Sequence, residues 1–232
     1  MGLFEISDLD KLEETGVCVK CDLSGANLSE ANLTNAYLSS ANLSNADLTN
    51  ADLTGATLKL ANLTGTNMRG VILTNAYLSS ANLYRADLTS ANLTSANLYK
   101  ANLKDAILTN ANLSNGKVMG ANLSRANLNG ADLRGANLSG SDLQYAKLKR
   151  ANLNGTNLNG ADLRKANFFG ADLQNAKLEW TKIKGANLSE ANLTDATIKF
   201  EIYENLDMAI LCKTKTSSGE QNTDCIVNEE KK

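Results

Sequence analysis

The chain has no histidine and no proline, and only 5% of its residues are aromatic. Without histidine there is no Ser-His-Asp triad, no Cys-His pair and no imidazole metal ligand. At average usage a chain of 232 residues would hold about a dozen prolines. Their absence points to a backbone whose amides are committed to a ladder, because proline cannot donate a hydrogen bond to one. Long apolar runs are missing too, since none approaches the ~20 residues of a membrane span. Charge of one sign is also lacking: 23 basic and 25 acidic side chains leave a net −2. That balance argues against a dedicated nucleic-acid binder and against a strongly acidic nucleic-acid mimic. No phosphate-cradling loop is present, because Gly130, Gly135 and Gly140 recur every five residues, as turn residues do, rather than as G-x-G-x-x-G. The carboxylates are scattered. The chain therefore reads as non-enzymatic, with no cofactor.

What is present is a repeat. From Cys21 onward the chain runs in fives: CDLSG, ANLSE, ANLTN, AYLSS. A large apolar residue occupies every position ending in 3 or 8 from Leu23 to Ile198, 36 consecutive times. Two residues earlier sits a small residue, alanine in 29 of the 36. The exceptions are Cys21, Thr66, Val71, Gly116, Ser141, Thr156 and Thr181. A period of five matches neither the 3.6 of a helix nor the 2 of a strand, and successive leucines on a plain strand would swap faces. Each repeat therefore needs a corner. The small residue and the leucine, two apart, point inward on an extended segment, and Asn, Asp, Ser, Thr and Gly turn the chain and face water.

This pattern, A-(N/D)-L-x-x, resembles that of the pentapeptide repeat family, in particular its cyanobacterial repeated-five-residue members. The resemblance covers residues 21–198. It implies an all-β, right-handed quadrilateral parallel β-helix with four repeats per coil, about nine coils, and a rod roughly 43 Å long at ~4.8 Å per coil. On that reading residues 1–20 form an N-terminal cap with a short helix and 21–198 the repeat β-helix. Residues 199–212 form a C-terminal cap, and 213–232 a disulfide-closed loop and mobile tail. Ser7 and Asp10 have the spacing of a capping box, Leu9 and Leu12 share a helical face, and Gly16 suits a C-cap, which places the helix from Ser7 to about Thr15. Phe200, Ile202, Tyr203, Leu206 and Ile210 break the small-residue rule, so the repeats are expected to stop at Ile198 and close with a helix or a loose final turn.

The four cysteines are Cys18, Cys21, Cys212 and Cys225. C-x-x-C suggests half a zinc site, a redox motif or a local disulfide. In a rod of the implied length the two pairs lie ~40 Å apart, too far to share one zinc. The expectation is two structural disulfides, Cys18–Cys21 and Cys212–Cys225, with a functional thiol pair as the alternative. Cysteines confined to the two ends fit an oxidising compartment. Together with the resemblance they imply an extracytoplasmic protein, in a periplasm or thylakoid lumen, whose signal peptide has been removed; a cytoplasmic location stays open.

Sorting residues by their position within 20 assigns each to a face. Between Arg125 and Lys184, two adjacent faces carry Arg125, Lys147, Lys149, Arg150, Arg164, Lys165, Lys182 and Lys184 against Asp142 and Asp162, an excess of +6. This is either a docking patch for an anionic partner or a solvated face that keeps the ladder soluble. Leu60, Ile72, Tyr77, Tyr84, Tyr99 and Ile107 occupy outward slots, and Trp180 and Phe200 should stack near the C-terminal end. Some members of the family resemble duplex DNA, bind DNA gyrase and confer quinolone resistance. Those are acidic rods dimerised through a C-terminal helical module, from which this near-neutral chain departs. The reading is a monomeric, non-enzymatic scaffold for an unidentified protein partner, with no nucleic acid and no membrane span; a gyrase-directed DNA mimic is the alternative.

Overall fold

The computed structural model describes residues 7–198 and 209–221. The repeat winds as a parallel β-helix. From Val17↔Tyr37 to Lys177↔Thr197, each parallel bridge joins residues twenty apart, and the bridges form four ladders running along the rod. One rung is thus four pentapeptides. The inward side chains make a single core of stacked leucines and alanines, most of them fully buried.

The hydrogen bonding of one pentapeptide explains its sequence. In residues 61–65 the Ala61 N–H donates to Leu58 O at 3.0 Å, closing the preceding turn. The Asn62 N–H reaches Ala41 O on the rung below at 2.9 Å, and the Leu63 and Gly65 N–H groups reach Asn82 O and Tyr84 O on the rung above at 2.7 and 2.9 Å. The Thr64 N–H, pointing along no ladder, donates to Asn62 Oδ1 at 3.2 Å. Every amide of the repeat is used. The second position is therefore Asn or Asp because its side chain holds the amide two residues on. The fifth position is left-handed throughout, as at Asn45 (φ 56°) and Gly65 (φ 66°), a conformation that Gly and Asn tolerate best. Where a hydroxyl fills a small inward slot it also bonds inside the wall: Thr66 Oγ1 donates to Leu43 O at 2.8 Å, and Thr156 Oγ1 to Leu133 O at 2.7 Å.

The N-terminal end is closed by α1 (Asp8–Thr15), with Ser7 as N-cap and left-handed Gly16 (φ 67°) as C-cap. The Ser7 hydroxyl accepts from the Asp10 N–H and donates to the Asp10 carboxylate. Leu12 is buried over the first rung. Asp8 Oδ2 accepts the Asp22 N–H at 2.7 Å, an amide with no rung below it. The ladder also starts one pentapeptide before the expected boundary at Cys21: Val17 bridges Tyr37, and Cys18 is buried in the apolar slot.

The C-terminal end differs from the sequence reading. The ladder does not stop at Ile198. Asn187 bridges Ile210 and Asn192 bridges Lys215, each twenty-three apart. The small-x-apolar pattern resumes at Ala209-Ile210-Leu211, with Ala209 and Leu211 buried, and Thr214 takes the next small slot, its Oγ1 donating to Leu188 O at 2.7 Å. Three extra residues shift the register, so a strict count of five loses it. The stretch from Lys213, expected as loop and tail, instead contains β1 (Thr214–Thr216), which also forms part of the last rung, and β2 (Gly219–Gln221), which pairs with it antiparallel. This hairpin covers part of an otherwise open edge. The expected closing helix, Phe200 and its stack on Trp180 lie outside the described residues.

Candidate interaction surface

Among the described residues, the interior is filled by buried leucine and alanine side chains. A gap of about 20 Å³ lies near the C-terminal end among Phe168, Leu173, Leu178, Ile183 and Leu188, where Phe and Ile interrupt the leucine columns. It is about the size needed for one water molecule, and its walls are apolar side chains apart from Thr181.

Cys18 and Cys21 are joined by a disulfide with their Cα atoms 5.2 Å apart. Cys18 fills the apolar slot of one pentapeptide and Cys21 the small slot of the next, so the bond ties the first corner inside the cap. Asp8 lies close to both sulfurs, but thiolates, the form that binds zinc, are consumed by the bond. The Cys212–Cys225 pair falls outside the described residues, because Cys225 does.

The predicted basic patch is partly neutralised. Arg125 Nε lies 2.9 Å from Asp105, which sits one rung below it and outside the sequence window that was counted. Arg164 makes a two-pronged contact with Asp162, Nε to Oδ1 at 2.8 Å and Nη2 to Oδ2 at 2.7 Å. Lys165 Nζ stands 5.2 Å from the centre of the Tyr145 ring, and Lys182 is the ladder neighbour of Asp162. Lys149 and Arg150 are brought together differently. They border an open depression of about 410 Å³ with Asn110, Asn129, Gly130 and Phe169. Gly130 stands in the column below Arg150, and the Asn110 side chain occupies the place its Cβ would take. Lys147 stands where Asn or Asp would hold the Lys149 N–H, and Asn129 Oδ1 on the rung below takes that amide instead, at 2.9 Å.

Asp22, Asp47, Asp132 and Asp162, in the turns, are held in their charged form. Asp47 titrates below the usual carboxylate range because the Thr49 hydroxyl and then the Thr49 N–H donate to it. Asp132 is lowered chiefly by the Arg134 guanidinium hydrogen bond. For Asp162, burial alone would raise the value, but the Arg164 side chain and amide, with the charges of Arg164 and Lys182, outweigh it. A carboxyl lowered on folding binds its proton more readily in the unfolded chain. Its stabilisation is therefore complete above the unfolded value near ~4 and is lost as pH falls through the folded value. The melting temperature is expected to be level from about pH 5 to 8 and to fall below about pH 4. Asp47→Asn, which keeps the turn acceptor, should shallow that acid slope; an unchanged slope would contradict the assignment.

The outward apolar residues do not form one group. Ile72 and Ile107 are exposed on separate ladders, and Tyr84 is half-buried with the Arg85 guanidinium 5.0 Å from its ring centre. Tyr77, Tyr99 and Leu60 share the face made by residues 16–20, 36–40 and their equivalents. They are joined there by Val17, Val19, Tyr37 and Met119, which were not singled out from the sequence. Sorting every outward residue by its position within 20 would have found them.

A model of pentapeptide repeats matches the chain in eight copies, over segments running from residue 21 to residue 200. The chain belongs to the pentapeptide repeat family. Proteins of this family are generally non-enzymatic structural or interaction proteins. Among solved structures, the chain is 31% identical to HetL, a pentapeptide repeat protein involved in heterocyst differentiation regulation from Nostoc sp. strain PCC 7120, over 94% of this chain and 99% of that one, with a TM-score of 0.49. It is 26% identical to the pentapeptide repeat protein Rfr23 from Cyanothece 51142, covering 83% and 97% of the two chains at a TM-score of 0.21. It is 18% identical to QnrB1, a plasmid-mediated fluoroquinolone resistance protein, over 82% and 98% at a TM-score of 0.40. Comparison with curated proteins gives no match. Among the described residues, no helix of this pentapeptide repeat protein is long and apolar enough to cross a membrane.

Proposed function

We propose that this pentapeptide repeat protein is a non-enzymatic interaction rod: a monomeric, right-handed quadrilateral β-helix of nine full coils and a register-shifted last turn. Its outer faces present side chains to a protein partner. One observation carries the reading. The inward side chains are spent on the core and the amides on the ladders and turns, so only outward side chains are left to do anything. Lys149 and Arg150, beside the depression at Gly130, are the place on the basic faces best suited to an anionic group of that partner. Extracytoplasmic residence is part of the proposal, supported by the Cys18–Cys21 bond and by the absence of cysteine from the middle of the rod.

The test is affinity capture with immobilised protein, comparing wild type with Lys149→Glu plus Arg150→Glu. Both side chains are exposed, so the variant should keep its melting temperature and lose a protein that the wild type retains stoichiometrically. Arg164 is a poorer probe, because Asp162 holds it. Supercoiling by DNA gyrase is expected to be unaffected. Inhibition of it, or protection from a quinolone, at low micromolar protein would replace the scaffold reading with the DNA-mimic one.

A further inference from the structure

The face made by residues 16–20, 36–40, 56–60 and their equivalents differs from the other three in both polarity and charge. Val17, Tyr37, Leu60, Tyr77, Tyr99 and Met119 project from it, one on each of six successive rungs, and all are exposed. Tyr37, Leu60 and Tyr77 keep 57%, 57% and 54% of their surface in water, although each could have been the Asn, Ser or Gly found at equivalent positions. Leu60 carries a second cost, since it holds the left-handed fifth position at φ 61°, where a branched apolar side chain is disfavoured. Neither packing nor backbone preference accounts for it.

The charges of the same face are of one sign. Lys20, Lys59, Lys100 and Lys117 lie on it, and no carboxylate does from residue 16 to residue 160. The ion pairs Arg69–Asp87, Arg125–Asp105, Arg134–Asp132 and Arg164–Asp162 all belong to the other three faces. Lys100 Nζ leans over the Tyr99 ring at 5.2 Å, and no carboxylate among the described residues neutralises these lysines. The outcome is a ridge in which apolar side chains recur on successive rungs of one face, with cations among them. At ~4.8 Å per rung its six members span about 24 Å.

We propose that this face docks an acidic amphipathic helix of a partner protein. At 1.5 Å per residue, about 16 helical residues match the length of the ridge. The apolar stripe of such a helix lies along it, as helices lie on the faces of sheets, and acidic residues flanking the stripe meet the four lysines. Tyrosine and methionine are residues that the buried centres of protein interfaces favour. The apolar side chains sit at three positions across the face, the second at Val17, Tyr37 and Tyr77, the fourth at Tyr99 and Met119 and the fifth at Leu60, with Ser39, Ser40, Ser79 and Ser80 among them. A face whose apolar side chains are broken up by serines suits a helix with one apolar stripe better than a lipid surface, which takes up a continuous apolar face sunk ~5–10 Å into the headgroup region. This surface is separate from the Lys149–Arg150 corner and does not rest on it.

The experiment uses the whole protein and a fluorescein-labelled 16-residue helical peptide with leucines at i, i+3, i+4 and i+7 flanked by glutamates. Binding is followed by fluorescence anisotropy. Saturable binding is expected, at least tenfold weaker for Tyr77→Ser plus Tyr99→Ser, at least tenfold weaker for Lys59→Glu plus Lys100→Glu, and at least tenfold weaker for a peptide with lysines replacing the glutamates. The Lys149→Glu plus Arg150→Glu variant should bind as wild type does, which separates failure of this inference from failure of the corner. Circular dichroism and melting should be unchanged in all variants, since every altered side chain is exposed. Absence of saturable binding, or binding indifferent to both face variants, overturns the proposal. So does sedimentation with phosphatidylglycerol vesicles that the face variants abolish while the acidic peptide does not bind; that result would make the face a lipid-binding surface.

Discussion

Leu103→Ala is expected to cost about 2–5 kcal/mol of stability, read as a fall in the midpoint of chemical denaturation with circular dichroism as the signal. Leu103 is fully buried, and its column neighbours Leu83 and Leu123 are equally buried on the rungs below and above. Removing three carbons leaves a hole bounded by ladders, not by mobile side chains. The Leu103 N–H donates to Asn122 O at 2.7 Å, and the Asn102 N–H to Ala81 O at 2.9 Å, so the wall cannot move inward without breaking bonds on both sides. The cost should therefore fall in the upper half of the usual range. A loss below about 1 kcal/mol would show that the wall relaxes and that the core is less closely packed than its burial implies.

Ala126→Leu should fail for the opposite reason, at about 1–3 kcal/mol. Ala126 is fully buried, and its carbonyl accepts the Lys147 N–H at 2.9 Å. A leucine there enters a space already filled by the leucine columns, and the backbone must shift to admit it. In a solenoid each rung contacts only its neighbours, so the damage should stay local. Hydrogen exchange should show lost protection centred on residues 106–146 and little change near α1. Loss of protection along the whole rod would contradict nearest-neighbour coupling. Tolerance of leucine at Ala126 would contradict the space argument itself.

The two predictions use different amounts of structural information. That Leu103 and Ala126 face inward follows from the period of five and from the small size of every residue two before each leucine. The role of Asn and Asp at the second position did not follow. Composition marked them as turn formers, but only the hydrogen-bond geometry shows that Asn62 Oδ1 holds the Thr64 amide. It also took the structure to show that Asn129, from another rung, takes over where Lys147 cannot. The C-terminal boundary was misplaced for a related reason. A count of five registers only unbroken repeats, whereas a ladder tolerates a three-residue excursion between rungs so long as Ala209 and Leu211 can re-enter the core. For the basic patch, the sequence placed the cations on the right faces but could not pair them. Arg125 and Asp105 are twenty residues apart, and it is the winding of the rod that stacks them within 2.9 Å.

By itself, then, the sequence determined the repeat, the inward and outward sides of the chain and the helical N-terminal cap. Each of these depends on contacts within a few residues or on a strict period, and such information survives in one dimension. The tertiary structure decided which outward side chains are neighbours: the cations that are neutralised, the pair that borders the depression at Gly130, and the apolar ridge with its lysines. Those relations join residues on different rungs, twenty or more positions apart, and they exist only once the ladders bring the rungs into contact.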